Sequence, residues 1–438
     1  MKSIDRILVV LSMLAAGAAQ AQDLLSVYDL ALENDPALKE AAQQLASARE
    51  VMPQAKARLL PNIFLSGDLT YVNRDTRRSS TRANEGSEDF STHSLALRLQ
   101  QPIYRRDYWM QLDQAENQIA AAEANFANAE LDLMARVINA YFNILSAQDD
   151  LTVSRAQTEA NQRQLEQARQ RFDVGLIAIT DVHEAQAAYD RSRADQIASE
   201  NEVDSTWEAL FQIIGPQPRD LAKLGEELPL DSPDPVNIES WANSAIEQNY
   251  GVIAAMNAAE VARKQIEVAR SGHYPSVSLE ASYGASRSNA NSGSDLDDAQ
   301  IGLQLTVPLY QGGGTTSQVR QAQFDYEAAR EVLDRERRSV NNAVRNAYRA
   351  VISTISRVKA LRATTVSSKS ALESTQAGYE VGTRTLVDVL AAQTQMFSAT
   401  RDYLRSRYDY LINGLLLKQR ASILEREDLS RVNGWLVK

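Results

Sequence analysis

Four short stretches of the chain alternate between apolar and polar residues. They come in two pairs, and each pair runs into a stretch of helical periodicity far longer than usual. From Ile63 to Tyr71, the residues Ile63, Leu65, Leu69 and Tyr71 share one face while Ser66, Asp68 and Thr70 share the other. Leu95, Leu97 and Leu99 oppose Ser94, Arg98 and Gln100 in the same way. The pattern returns with Val277, Leu279, Ala281 and Tyr283 against Ser276, Ser278, Glu280 and Ser282. It returns again with Ile301, Leu303, Leu305 and Val307 against Gln300, Gln304 and Thr306. A period of two predicts strands with one apolar and one polar face. Such strands, about 9 to 11 residues long, fit a membrane barrel around a wet lumen, and they also fit a half-buried soluble hairpin. Polar segments, Asn73 to Asp89 and Ser286 to Asp298, join the members of each pair and read as long external loops.

No glycine or proline occurs between Pro102 and Gly175, nor between Gly314 and Gly378. Within the first of these stretches Ile119, Ala122, Phe126, Ala129, Leu133, Val137 and Ala140 recur at three and four residues, with alanine frequent. That spacing predicts a helix whose narrow apolar stripe packs closely in a coiled-coil-like array. Some 60 to 65 helical residues extend roughly 90 to 100 Å. Beyond a Val-Gly pair each stretch continues without Gly or Pro, to Gly215 and to Gly414. A second helix folded back after a tight turn is therefore expected in each.

The chain matches itself. Pro61-Asn62-Ile63 answers to Pro275-Ser276-Val277, Gln101-Pro102-Ile103-Tyr104 to Val307-Pro308-Leu309-Tyr310, and Asn139-Ala140-Tyr141 to Asn346-Ala347-Tyr348. The clearest pair is Phe172 to Val182 against Tyr379 to Val389. A nearly constant offset indicates duplication. The reading is a signal segment over 1–21, a first repeat over 22–215, a Pro-rich linker over 216–237, a second repeat over 238–422 and a tail over 423–438. The fold class is mainly α with a small β part, four strands per chain. Four strands cannot close a barrel with a lumen, and open edges are not tolerated in lipid. Eight strands from a dimer fill with side chains, whereas twelve from a trimer leave room for passage. Three chains are favoured.

Composition narrows the chemistry. Lys2 and Arg6 precede an apolar run from Ile7 to Ala19, and Ala19-Gln20-Ala21 offers a small-x-small cleavage pattern, so export and a mature start at Gln22 are expected. The mature chain has no apolar run long enough for a spanning helix. There is no cysteine, which excludes disulfides, thiolate metal sites and a lipid-anchor acceptor. The 46 basic and 57 acidic side chains give a net charge of −11, which argues against nucleic acid as a partner. His93, His183 and His273 stand far apart with no metal-ligand spacing. No constellation of catalytic groups is present, so neither an enzyme nor a cofactor is expected. Gly312-Gly313-Gly314 lacks the Lys-Ser/Thr of a phosphate loop and reads as a strand-to-helix turn. Asp149-Asp150 and Glu226-Glu227 read as solvated pairs.

The tract Ala377 to Leu390, with Tyr379-Glu380-Val381-Gly382-Thr383-Arg384-Thr385 at its centre, its partner Phe172 to Val182, and Pro308-Leu309-Tyr310-Gln311-Gly312-Gly313 resemble the TolC family of bacterial outer-membrane efflux channels. The resemblance covers nearly the whole mature chain. It implies a homotrimer whose twelve strands form an outer-membrane barrel, continued by an α-helical tunnel through the periplasm of a Gram-negative cell. Its partners would be outer-membrane lipid, a periplasmic adaptor (membrane fusion protein) and an inner-membrane pump or ABC exporter. Drugs or exported polypeptides would pass without energy input from the channel itself. By the same resemblance Tyr379 and Arg384 reach Thr180 and Asp181 of the neighbouring repeat and hold the tunnel shut. Three Asp388 carboxylates then ring the axis and select for cations. Family members carry a second aspartate one turn on, where this chain has Ala391, and Glu184 stands at the equivalent place in the first repeat. The turns Val174-Gly175-Leu176 and Val381-Gly382-Thr383 would contact the adaptor, and His183 lies beside the gate. The competing reading is a non-conducting secreted coiled-coil protein of structural or adhesin-like type, which needs neither a wet lumen nor a matched pair of turns.

Overall fold

The computed structural model describes residues 21–77, 86–216, 220–290 and 293–437. The signal segment up to residue 20, linker residues 217–219 and parts of both strand connections lie outside them. In chain order the elements are α1 (Leu24–Asn34), α2 (Pro36–Arg49), α3 (Val51–Ala57), β1 (Asn62–Thr76), β2 (Gly86–Tyr104), α4 (Arg106–Asp173), α5 (Ile179–Ile214) and β3 (Lys223–Leu224). Then follow α6 (Ile238–Gln248), α7 (Tyr250–Arg270), β4 (Ser276–Ser288), β5 (Ser294–Thr306), α8 (Gly314–Glu380), α9 (Leu386–Arg420), α10 (Arg426–Asn433) and β6 (Leu436–Val437). The two long helices have 68 and 67 residues, about 100 Å each at the standard rise.

The chain divides into two compact units, one made of Gln43–Ala124 with Ile253–Glu336. This unit carries a four-stranded antiparallel sheet in the order β1-β2-β4-β5. Its register sets Leu65, Leu97 and Tyr283 in one row on the apolar face, and Phe64, Arg98, Ser282 and Gln300 in the next row on the polar face. Ile63, Leu65, Leu69, Tyr71, Ile301, Leu303 and Leu305 are all exposed. Water-facing packing of this kind is unstable for a soluble sheet, and it is what a lipid-facing surface requires.

The strands outrun the sequence expectation. Residues 73–76 and 86–89, read as loop, extend β1 and β2, and residues 286–288 and 294–298 do the same for β4 and β5. Apart from Leu296 these stretches are polar in sequence, so the ladder continues without the apolar alternation that betrays a strand. Near its other end β2 shifts register between Pro102 and Tyr104, where a residue without an N–H interrupts the ladder.

The second unit comprises the remaining segments and is helical, apart from the short pair β3–β6. The helical segment that precedes the strands in each half is broken. Pro36 disfavours helix at the residue before it; Asp35 turns the chain and accepts the Leu38 N–H at 2.7 Å. Asn249 stands at the equivalent break between α6 and α7 and accepts from the N–H of Gly251 at 2.9 Å. Asp35 is 1% exposed, and Arg136 of α4 forks onto it with two bonds of 2.8 Å. That bidentate contact holds the Asp35 carboxyl below the usual carboxylate range despite its burial.

Of residues 423–438, expected as a tail, those up to 437 are described, and they fold onto the unit. Arg426 pairs with Asp29 at 2.8 Å, Asn433 bonds to Asp23 and to the Leu24 N–H at 3.0 Å each, and Leu424, Leu429 and Val432 are buried. Helix α9 also continues through Gly414 to Arg420 rather than ending there, with Leu411, Leu415 and Leu417 all buried.

Candidate functional site: paired turns and the adjoining helix seam

Two helical hairpins, α4–α5 and α8–α9, end in turns of one design. In the first, the Gly175 N–H donates to Phe172 O and the Leu176 N–H to Arg171 O, each at 2.8 Å. In the second, Gly382 N–H donates to Tyr379 O at 3.1 Å and Thr383 N–H to Gly378 O at 2.8 Å. This is the Schellman pattern, which satisfies the last carbonyls of a helix by placing one residue in the left-handed region. Gly175 (φ 77°) and Gly382 (φ 79°) occupy that position, where a side chain would be strained. The Schellman turn usually buries an apolar residue next to the glycine. Here Val174, Leu176 and Val381 are 70%, 73% and 76% exposed, so the turns present apolar side chains outward.

The entries to the return helices differ. Ala178 precedes α5 and provides no side-chain cap. Thr385 precedes α9 and forms a reciprocal capping box with Asp388. The Asp388 carboxylate accepts from Thr385 N–H and Oγ1–H at 2.9 Å each, and the Thr385 hydroxyl accepts from the Asp388 N–H at 3.2 Å. These bonds, with the Arg384 charge nearby, hold the Asp388 carboxyl below the usual range. The sequence singled out Asp388 for its charge; within one chain that carboxylate also starts a helix. Asp388 and Arg384, though four apart, form no ion pair.

The hairpins pack on one another beside the turns. Leu165, Ala168, Ala185 and Leu386 form a buried cluster, with Ile177, Val182, Tyr189, Tyr379 and Leu390 against it. Tyr379 thus reaches the first hairpin, where its ring lies 5.1 Å from the Arg171 guanidinium. Within the chain, among the described residues, no hydrogen bond or ion pair joins Tyr379 or Arg384 to Thr180 or Asp181. The side chains of Arg384, Thr180, Asp181 and Glu184 have no such partner there at all; His183, Glu184 and Ala391 are exposed.

Two residues here escaped the sequence reading. A Cβ on Gly378 would lie 2.8 Å from Arg384 Cγ and 3.1 Å from Thr383 Oγ1, so this glycine lets the arginine stem fold back across the helix. Arg171, the platform for Tyr379, carried no sequence signal except its place three residues before the turn.

This combination of an outward-apolar β-sheet and two very long hairpins defines a class of membrane channel protein. A family model described as outer membrane efflux protein matches residues 27–216 and 241–420. Over 426 residues the chain is 38% identical to the outer membrane protein TolC of Vibrio cholerae, across 96% of this chain and 95% of that one. It is 29% identical to the alkaline protease secretion protein AprF of Pseudomonas aeruginosa over 419 residues, 94% of this chain and 87% of that protein. Among solved structures, the CmeC outer membrane channel of Campylobacter jejuni superposes with a TM-score of 0.81 at 18% identity, covering 94% of this chain and 90% of that one. The chain belongs to the outer membrane efflux protein family. It is a channel of the Gram-negative outer membrane that serves efflux or secretion.

Proposed function

We propose that three copies join their sheets edge to edge into one twelve-stranded outer-membrane barrel, while the hairpins of the same three chains form the wall of a periplasmic tunnel. The assembly conducts drugs or exported polypeptides passively, and the chain performs no catalysis. One observation carries this reading: the sheet has two open edges, β1 and β5, and an exposed apolar face. In hydrocarbon those edges must be paired, and pairing the β5 of one copy with the β1 of the next closes a ring. Residues 22–215 and 238–422 act as duplicated halves, a division supported by the two ranges that the family model matches.

Energy comes from an inner-membrane pump or ABC exporter, reached through a periplasmic adaptor. The exposed turns at Val174-Gly175-Leu176 and Val381-Gly382-Thr383 are the adaptor contact; apolar side chains held outward by a rigid turn suit such docking. The gate is a lock between chains. Arg384, unpaired within its own chain, forks onto Asp181 and Thr180 of the neighbour, with Tyr379 beside it, in a geometry lysine cannot copy. Three Asp388 carboxylates set the cation preference, and Glu184 supplies charge where Ala391 offers none.

Tyr379→Phe combined with Arg384→Ser should raise single-channel conductance in planar bilayers; an unchanged conductance refutes the lock. Leu176→Glu or Thr383→Glu should abolish efflux while trimers still assemble, and unimpaired efflux refutes the adaptor contact.

A further inference from the structure

The seam where the hairpins meet changes character along its length. Ser154, Thr158, Asn161, Leu165 and Ala168 of α4 follow one another at steps of four, three, four and three residues, and all are buried. Toward the turns the seam is apolar, closed by Leu165, Ala168, Ala185 and Leu386. Away from the turns it is polar: the Tyr408 hydroxyl of α9 donates to Asp149 of α4 at 2.7 Å, and within the first hairpin Thr158 Oγ1 donates to Ser192 O of α5 at 2.9 Å. Asn161 stands at the change-over. Its Nδ2 donates to Ala188 O of α5 at 3.1 Å, and its Oδ1 accepts from Gln393 Nε2 of α9 at 2.8 Å. Asn161 is 4% and Gln393 5% exposed. One buried amide pair therefore ties three helices and both hairpins together. Between this pair and the turns, among the described residues, no other hydrogen bond or ion pair crosses from one hairpin to the other.

Apolar side chains pack at several axial offsets with similar energies, whereas a buried amide pair fixes one offset, because any slip leaves desolvated polar groups unpaired. The pair is also one-sided. The offset that aligns Gly175 with Gly382 carries Asn161 to Ser368 and Gln393 to Gln186. Ser368 has no amide to offer. Gln186 is engaged within its own hairpin, accepting from Arg169 at 2.6 Å and donating to Asp190 at 2.9 Å. The pseudo-equivalent positions, which in a trimer would meet between chains, therefore hold no amide pair.

We infer that Asn161 and Gln393 are positioning residues of the gate: their hydrogen bond fixes the register of the α8–α9 hairpin against the α4–α5 hairpin in the closed channel, and opening the turns requires its release. The inference rests on the proposed gated channel.

The test uses the full-length trimer in planar bilayers, with thermal dissociation of the trimer measured in parallel. Replacing both amides, Asn161→Leu with Gln393→Leu, removes the directional bond while leaving an apolar pair, a change that is commonly neutral or stabilising. The expected result is a trimer at least as heat-resistant as the wild type whose resting open fraction rises about fivefold, the factor that goes with one net hydrogen bond. A merely structural role would leave the open fraction alone, whatever the change in heat resistance. The exchange Asn161→Gln with Gln393→Asn should return the open fraction toward the wild-type value. Should the double leucine variant fail to assemble, Gln393→Met, close in shape, carries the same expectation. A wild-type open fraction in an assembled variant lacking the pair overturns the inference and leaves the channel reading intact. A wild-type protein that forms no conducting pore removes both.

Discussion

At Asp388 a charge and a helix cap reside in one carboxylate, and the two are separable. Asparagine keeps an oxygen that accepts the Thr385 N–H bond, whereas alanine keeps none. Asp388→Ala should therefore cost about 1 kcal/mol of helix stability, and Asp388→Asn much less. Both should weaken cation selectivity and block by multivalent cations to the same degree. Selectivity surviving in Asp388→Asn but falling in Glu184→Gln would move the charged ring to the first repeat. The lowered Asp388 carboxyl also predicts a pH profile. A group depressed in the folded state stays ionised through the neutral range, so cation preference should hold across neutral pH and be lost only on acidification, with repulsion among the three carboxylates opposing the depression.

Asp35 and Arg136 make a second residue-scale case. With the Asp35 carboxyl depressed by its forked partner, the pair contributes stability that is complete above the ordinary carboxylate value of about 3.9 and is lost as pH falls through the lower folded value. Arg136→Ala alone leaves a buried carboxylate uncompensated and should cost about 3 kcal/mol, measured as a fall in thermal midpoint. Asp35→Asn added to it should recover most of the loss, since Asn249 caps α7 without an arginine fork. No recovery would mean that the fork, rather than the cap, holds the break. Neither partner was legible in sequence, because Asp35 and Arg136 are far apart in the chain. Gly378 was equally hidden: a glycine inside a helix reads as a weakness until the returning arginine stem is seen above it.

At the scale of elements, the long helices, the folded-back partners and the turns were legible, because each rests on a local rule. A run free of Gly and Pro whose apolar residues recur at three and four favours one continuous helix, and a Val-Gly pair ends it with a left-handed residue. Gly382→Ala should accordingly cost about 1 to 2 kcal/mol, and Gly175→Ala the same, readable as earlier proteolysis at the turns. Gly378→Ala should be worse for gating than for stability, since its Cβ meets the Arg384 stem. The far ends of β1 and β2 were not legible, because Asn73 to Asp75 and Ser87 to Asp89 are polar and carry no apolar alternation; there the backbone ladder is joined by a side-chain bond from Asn73 Nδ2 to Asp89 Oδ1 at 2.6 Å. The docking of α10 was not legible either, for it depends on Asp29, Asp23 and Leu24 at the opposite end of the chain.

At the scale of the whole molecule, the division of the sheet into an apolar and a polar face makes a two-sided prediction. Leu303→Arg, on the exposed apolar face, should cost about 2 to 4 kcal/mol of barrel stability, whereas Gln304→Arg beside it, on the polar face, should leave assembly intact and alter conductance. Equal effects of the two would remove the distinction between lipid and lumen.

The central claim is that open sheet edges force several copies into one conducting barrel. The most direct measurement is the native mass of the detergent-extracted protein, taken on the same preparation whose conductance is recorded in a planar bilayer. The account predicts three times the chain mass, cross-linking that saturates at three, and discrete channel currents from that species. A monomer or dimer that still carries current, or a trimer that carries none, would contradict it.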